Sequence, residues 1–299
     1  MRRSTCQHPK LPATLAAAIA IAVSAQGAGA QNSALLIDRR AGESAVERVV
    51  NPLDTDFARE QLRFPRVEAA RLRTRFGIKQ LYRERGIAYP AAEIFMRVFK
   101  RERVLEVWAR PAGSEKFSLL TAYRVCALAG EVGPKRRQGD LMTPEGFYEV
   151  DSFNPYSQYR LSLHVNYPNP SDRMLGYQEA LGGQIFIHGG CKTAGCIAVT
   201  DESIEELYWI AVEARAVGQK RIPVHIFPAR LDDEEIARLG RTFGSQSELL
   251  TFWKNLRTGY EFFDRNGRLP AITVDASGRY RFADPSTGRS AEIPGDAAR

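Results

Sequence analysis

Between residues 184 and 200 the chain reads QIFIHGGCKTAGCIAVT, and no other stretch restricts the possible folds as much. Ile185 and Ile187 alternate around Phe186, the period of a half-buried strand, and deliver His188 to the strand end. Gly189 and Gly190 then let the backbone turn sharply. Gly195 and Cys196 open a second short apolar run, Ile197, Ala198 and Val199. A thiol and an imidazole therefore stand on neighbouring structured segments joined by a loop of small residues, at the rim of a sheet.

That arrangement suits thiolate chemistry. A free thiol, with a pKa of about 8.5, is mostly protonated at neutral pH, and a nearby imidazole stabilises the thiolate as an ion pair. On this reading Cys196 is the nucleophile and His188 the base. Gly195, lacking Cβ, admits a carbonyl closely, and N–H groups around Gly195 and Cys196 offer oxyanion donors. Cys191, Cys196 and His188 could also be three zinc ligands, but no fourth is evident, so no metal and no cofactor are expected.

The run IHGGCKTAGCIAVTD resembles the active-site motif of the L,D-transpeptidase catalytic (YkuD-type) domain family, in its YafK-like branch. Further matching runs are FKRERVLEVW at 99–108, GPK at 133–135, GDLMTPEGFY at 139–148, NP at 154–155, YPN at 167–169 and HIFP at 225–228. The resemblance covers residues 60–265 or so. It implies Cys196 as acyl-enzyme nucleophile, His188 as general base and Thr193 at the Ser/Thr position, with Gly189 and Gly195 in positioning or oxyanion roles. It also implies a periplasmic enzyme acting on peptidoglycan stem peptides next to diaminopimelate. Two positions depart from the family pattern: Ala194 replaces a second histidine, and Ala198 an arginine.

The N-terminus carries Arg2, Arg3 and Lys10, an alanine-rich apolar run from Leu11 to Val23, and Ala28-Gly29-Ala30. This is the layout of a secretory signal peptide cleaved near Ala30, and the run is too short for a spanning helix, so no stable membrane anchor is expected. Loss of Arg2, Arg3 and Lys10 lowers the formal charge from +7 to +4. Without a basic stripe interleaved with aromatics, nucleic acid is not an expected partner. Cys126, Cys191 and Cys196 remain, an odd number that leaves at least one thiol free. Cys126 lies in an apolar run and reads as a core residue. Cys191 admits three readings: a bystander, a resolving thiol, or the partner of a disulfide that closes Cys196.

Residues 31–56 read as a linker or arm, and 57–90 as a helical lead-in interrupted at Pro65. The catalytic domain is expected over 91–230, with strands at 94–100, 104–110, 117–126, 147–153, 161–167 and 222–227. His164 and His225 read as structural histidines within strands. The loop 130–140 carries Lys135, Arg136 and Arg137, candidates for substrate carboxylates, and 167–173 reads as a polar turn. Thr200 or Asp201 caps a helix with one apolar face. Residues 231–299 form a helical extension with a small hairpin and a frayed tail.

The expected fold is α+β, a β-rich YkuD-type sandwich or barrel with flanking helices. The expected function is a wall-remodelling acyl transfer through a Cys196 thioester, resolved by an amine or by water. In the second case the product could include a wall-attached lipoprotein released from its anchor. A wall-peptide-binding module without turnover is the alternative, and a bond joining Cys191 to Cys196 is one way it would arise.

Overall fold

A computed structural model of the chain describes residues 52–177 and 179–291. The expected leader over 1–30, the arm as far as residue 51 and the tail from 292 lie outside the described residues. Thr55 opens the first helix by accepting from the Ala58 N–H, and α1 spans Asp56–Leu62. Pro65 starts α2, Pro65–Glu84. Proline has no N–H to donate and fits a first turn, where that donor has no helical acceptor. The interruption expected at Pro65 is thus a second helix start.

The strands β1 (Glu93–Phe99), β2 (Val104–Arg110) and β3 (Ser118–Arg124) form an antiparallel meander. The strand expected over 117–126 ends at Arg124, because Val125 N–H turns to Arg103 O and Cys126 N–H to Ala198 O. Joined by β4 (Ala127–Leu128), β5 (Gly146–Asn154), β6 (Ser162–Val165), β7 (Ile185–His188), β8 (Ile197–Ala198) and β9 (Ile222–Phe227), they make one mixed sheet. Its order is β3-β2-β1-β9-β5-β6-β7-β8-β4, with β1–β9 and β7–β8 parallel. With helices on its flanks, the fold is α+β, as the sequence predicts.

Alternation along the strands sends two apolar sets to two faces. Ile94, Met96 and Val98 of β1, with Leu163, Ile187, Ile197 and Val224, join the core under α2 and α4. The helix α4 (Asp201–Ala216), capped by Thr200, was expected to bury one face. It is buried around most of its circumference, Trp209 and Glu213 included, because α1 and α2 pack against it as well as the sheet.

The other face holds Phe99, Phe147 and Phe227 against Leu239, Trp253, Leu256, Tyr260 and Phe282. These come from α5 (Asp233–Phe243), α6 (Ser247–Asn266) and the hairpin β10 (Ala271–Val274) and β11 (Tyr280–Ala283). Both helices run through a glycine, Gly240 in α5 and Gly259 in α6. Tertiary burial outweighs a glycine cost of about 1 kcal/mol. The extension covers β1, β9 and the start of β5, and it leaves the same face of β6, β7 and β8 outside its apolar cluster.

A short helix was not anticipated: α3, Pro170–Leu175, begins inside the expected polar turn. Asn169 accepts from Asp172 N–H and Asp172 from Asn169 N–H, a reciprocal cap that the N-P-S-D spacing encodes.

At the end of β1, Lys100 Nζ lies 2.9 Å from Glu145 Oε1 and donates to Gly133 O and Thr143 O. Glu145 also accepts from Gly133 N–H and from the Trp253 indole. Removing one partner leaves a buried charge alone, so Glu145→Ala is expected to cost about 3–5 kcal/mol in urea unfolding. The double replacement Lys100→Met with Glu145→Leu is expected to recover part of that loss.

His225 stands between the rings of Phe95 and Phe147, each 4.7 Å away, and burial holds its pKa down to about 3 from 6.5. The folded chain binds this proton less readily than the unfolded one. Stability present above 6.5 is therefore lost as pH falls towards about 3, by up to about 1.4 kcal/mol per pH unit. Urea unfolding across that range is expected to show a shallower acid loss for His225→Phe than for the native chain.

Candidate active site

The parallel strands β7 and β8 set Ile187 opposite Ile197 and His188 opposite Ala198. Ile185, Ile187 and Ile197 point into the core, so Phe186, His188, Cys196 and Ala198 share the other face. His188 and Cys196 are diagonal neighbours there, with backbones on the order of 7 Å apart. The two predicted groups are brought to one surface by two short strands, as their spacing requires.

Their hydrogen bonds run elsewhere. The Cys196 thiol points to Gln184 O at 3.5 Å, with the Phe186 N–H beside it. The His188 Nδ1 lies 2.6 Å from Gly189 O. A carbonyl only accepts, so Nδ1 carries the proton and Nε2 keeps its lone pair. Burial pushes the Cys196 thiol above its ordinary value, against smaller opposing pulls from Phe186 N–H, Thr193 and Lys135. Burial likewise pushes the His188 imidazole down. Both shifts disfavour charge, and so favour a thiol and a neutral imidazole over the expected thiolate–imidazolium ion pair.

The loop between the two groups is held at three points. Thr193 Oγ1 accepts from Cys196 N–H at 2.8 Å and donates to Cys196 O at 3.1 Å. Cys196 N–H is thus engaged and is not the free oxyanion donor expected. Gly195 N–H has no hydrogen-bond partner among the described residues, and Gly195 has φ +136°, open to glycine but not to ordinary side chains. Gly189 is needed for space: a Cβ there would come within 2.5 Å of Asp201 Oδ1 and 3.0 Å of Tyr159 O.

The third point is a disulfide. Cys126 and Cys191 are bonded, with Cα atoms 5.3 Å apart across 65 residues of sequence, and Cys196 is the free cysteine among the described residues. Cys126 is therefore not the unpaired core residue expected, and Cys191 does not close Cys196. The pairing follows from β4 lying beside β8, which carries Cys126 to the loop.

Several contributors were not foreseen. Thr143 donates to Cys196 O at 3.4 Å, from the loop that Lys100 and Glu145 hold. Tyr159 lays its ring on His188, with centroids 4.6 Å apart and planes at 32°, and its carbonyl accepts Gly189 N–H. An aromatic in a polar loop gives no sequence signal of such a contact; Thr143 lies within the matched GDLMTPEGFY run. The basic loop turns inward. Lys135 binds Asp140 at 2.7 Å, and Arg136 stacks its guanidinium on Phe252, so only Arg137 keeps the exposure expected of a carboxylate contact.

Residues 98–226 match the YkuD family, L,D-transpeptidase catalytic domain. Over 194 residues the chain is 34% identical to YafK of Escherichia coli strain K12, which is named as an L,D-transpeptidase. The match covers 64% of this chain and 74% of that one. YafK of Escherichia coli O157:H7 matches equally. Among solved structures, the helical cell shape determining protein Pgp2 of Campylobacter jejuni aligns with TM-score 0.36 and 23% identity, over 61% of this chain and 73% of that one. Bd1075 of Bdellovibrio bacteriovorus aligns with TM-score 0.36 and 18% identity, over 68% and 86%.

A neutral resting pair has a measurable signature. Alkylation of Cys196 by iodoacetamide is expected to keep accelerating above pH 9, because burial raises the thiol pKa and the thiolate fraction still grows there. His188→Gln is expected to leave that profile in place. A plateau near neutrality that disappears in His188→Gln would show an ion pair instead.

Proposed function

The chain belongs to the YkuD-type L,D-transpeptidase family, and on that premise we propose that it is an exported peptidoglycan-remodelling enzyme working through a Cys196 thioester. The observation that carries the reading is the one free thiol among the described residues, on the part of the sheet face that the C-terminal extension leaves uncovered, one strand from an imidazole with an available Nε2. Cys196 Sγ attacks the carbonyl of a stem-peptide bond next to diaminopimelate as His188 Nε2 takes the thiol proton. His188 then gives that proton to the departing amine. The C–N bond breaks and the C–S bond remains as thioester.

Because the pair rests uncharged, proton transfer accompanies attack and is not stored beforehand. Gly195 N–H, left without a partner, is the donor best suited to the developing oxyanion, and Thr193 holds the cysteine backbone that presents the thiol. Gly189 positions the imidazole by letting the β7 end approach α4 closely.

The Cys126–Cys191 disulfide supports an exported location, since such bonds persist in oxidising compartments such as the periplasm. Among the described residues no helix is long and apolar enough to cross a membrane. Cys191 is bonded to Cys126, so a Cys191–Cys196 bond is not what would make the chain a wall-peptide-binding module without turnover, which stands as the second reading. The acceptor is a wall amine in a transpeptidase and water in a hydrolase, which would trim stems or release wall-attached lipoprotein.

Mass spectrometry of wall fragments, with and without attached protein, separates these outcomes. Incubation with the mature protein is expected to yield cross-linked or exchanged peptides if an amine is the acceptor, and shortened peptides or released protein if water is. Cys196→Ala is expected to do neither. Fragments left unchanged by the native protein would refute the enzyme reading on these substrates.

A further inference from the structure

A second imidazole lies on the same face as the thiol. On β6, His164 stands opposite Phe186 of β7, and strand alternation sets Phe186 beside Cys196. The His164 ring meets the Phe186 ring edge-on at 4.9 Å. From the other side, Asp151 Oδ1 lies 2.6 Å from His164 Nδ1. The nitrogen held by the carboxylate is thus on the side remote from the thiol, and Nε2 has no hydrogen-bond partner among the described residues.

The local backbone is shaped for this contact. The β5–β6 ladder skips register between Val150 and Ser152, so Asp151 is the bulged residue, aimed out of the ladder onto His164. Bulges of this kind re-aim side chains and are frequent beside active sites. Stability does not account for it: the Asp151 side chain is 42% exposed, and exposed pairs contribute little.

His164 cannot serve the thiol directly, because two strand spacings, about 10 Å, separate the backbones and Phe186 stands between. It can serve a group that the reaction brings. A carbonyl bonded to Cys196 Sγ, a nucleophile attacking it and one hydrogen bond span about 7 Å in all, a large part of that distance. The opposite flank of Cys196 is closed by β4 and the Cys126–Cys191 bond, and His188 is covered by Tyr159. The open approach runs over Phe186.

We propose that His164, oriented by Asp151, is the base on the acceptor side of the reaction. The inference rests on the thioester reading above. The acceptor amine or water attacks the thioester carbonyl, its C–N or C–O bond forms as the C–S bond breaks, and its proton passes to His164 Nε2. Cys196 leaves as thiolate and is reprotonated through solvent, which returns His164 to its neutral form. His164 is the catalytic residue here and Asp151 a positioning residue. This revises the structural role that the sequence suggests for His164.

The test follows the acyl adduct on Cys196 by intact-protein mass spectrometry after mixing the mature protein with a disaccharide-tetrapeptide wall fragment. In His164→Ala the adduct is expected to form within about twofold of the native rate and to decay at least tenfold more slowly. Added imidazole is expected to restore part of that decay. Asp151→Asn is expected to slow decay less, with Asp151→Glu closer to native.

Unchanged decay in His164→Ala overturns the assignment. So does a slow decay that imidazole does not relieve, or an equal slowing of adduct formation, which a merely structural role would produce. A native protein that forms no adduct refutes the thioester reading itself, and this inference with it. A normal native cycle with an unaffected His164→Ala refutes only the role of His164.

Discussion

The buried pair of Lys100 and Glu145 is the interaction on which the site's surroundings depend. Lys100 projects from the end of β1, and its three acceptors, Gly133 O, Thr143 O and Glu145 Oε1, all belong to the loop before β5. Glu145 in turn reaches Gly133 N–H and the Trp253 indole of α6. One ion pair therefore fastens the loop to the end of β1 and to α6 at once. Thr143, which touches the Cys196 carbonyl, sits within that fastened segment. Burial of both charges makes the arrangement all-or-none, because either one alone would be left desolvated without compensation.

Unequal covering of the sheet then decides where chemistry can occur. One face is closed along its length by α2 and α4. On the other, the aromatic cluster built by α5, α6 and the hairpin stops at the start of β5. The residues beyond it, Asp151, His164, Phe186, His188 and Cys196, are polar or only partly covered. A sheet with both faces fully buried would hold the same thiol inert. Here the extension covers part of that face and ends before the strands that carry His164, His188 and the approach to Cys196.

Electrostatics and covalent structure divide the work at the thiol. Burial disfavours charge on both the Cys196 thiol and the His188 imidazole. The neighbouring disulfide consumes the two cysteines that could have captured it and ties the intervening loop to β4. The Thr193 hydroxyl completes the loop by closing on both backbone groups of Cys196.

Much of this was legible locally. Periodicity located most strands of the large sheet, and Thr200 marked a helix start because a capping side chain acts within three residues of its own position. The pairing of His188 with Cys196 on one surface followed from two strand runs and the loop joining them. The Asn169–Asp172 cap is equally local. What the sequence alone left open were relations between distant residues: Cys126 with Cys191, Lys100 with Glu145, Tyr159 on His188, and Asp151 turned by a bulge onto His164. Protonation belongs to the same class. A motif specifies which titratable groups are present, whereas their charge depends on how much water the assembled fold excludes from them, and only the tertiary structure sets that.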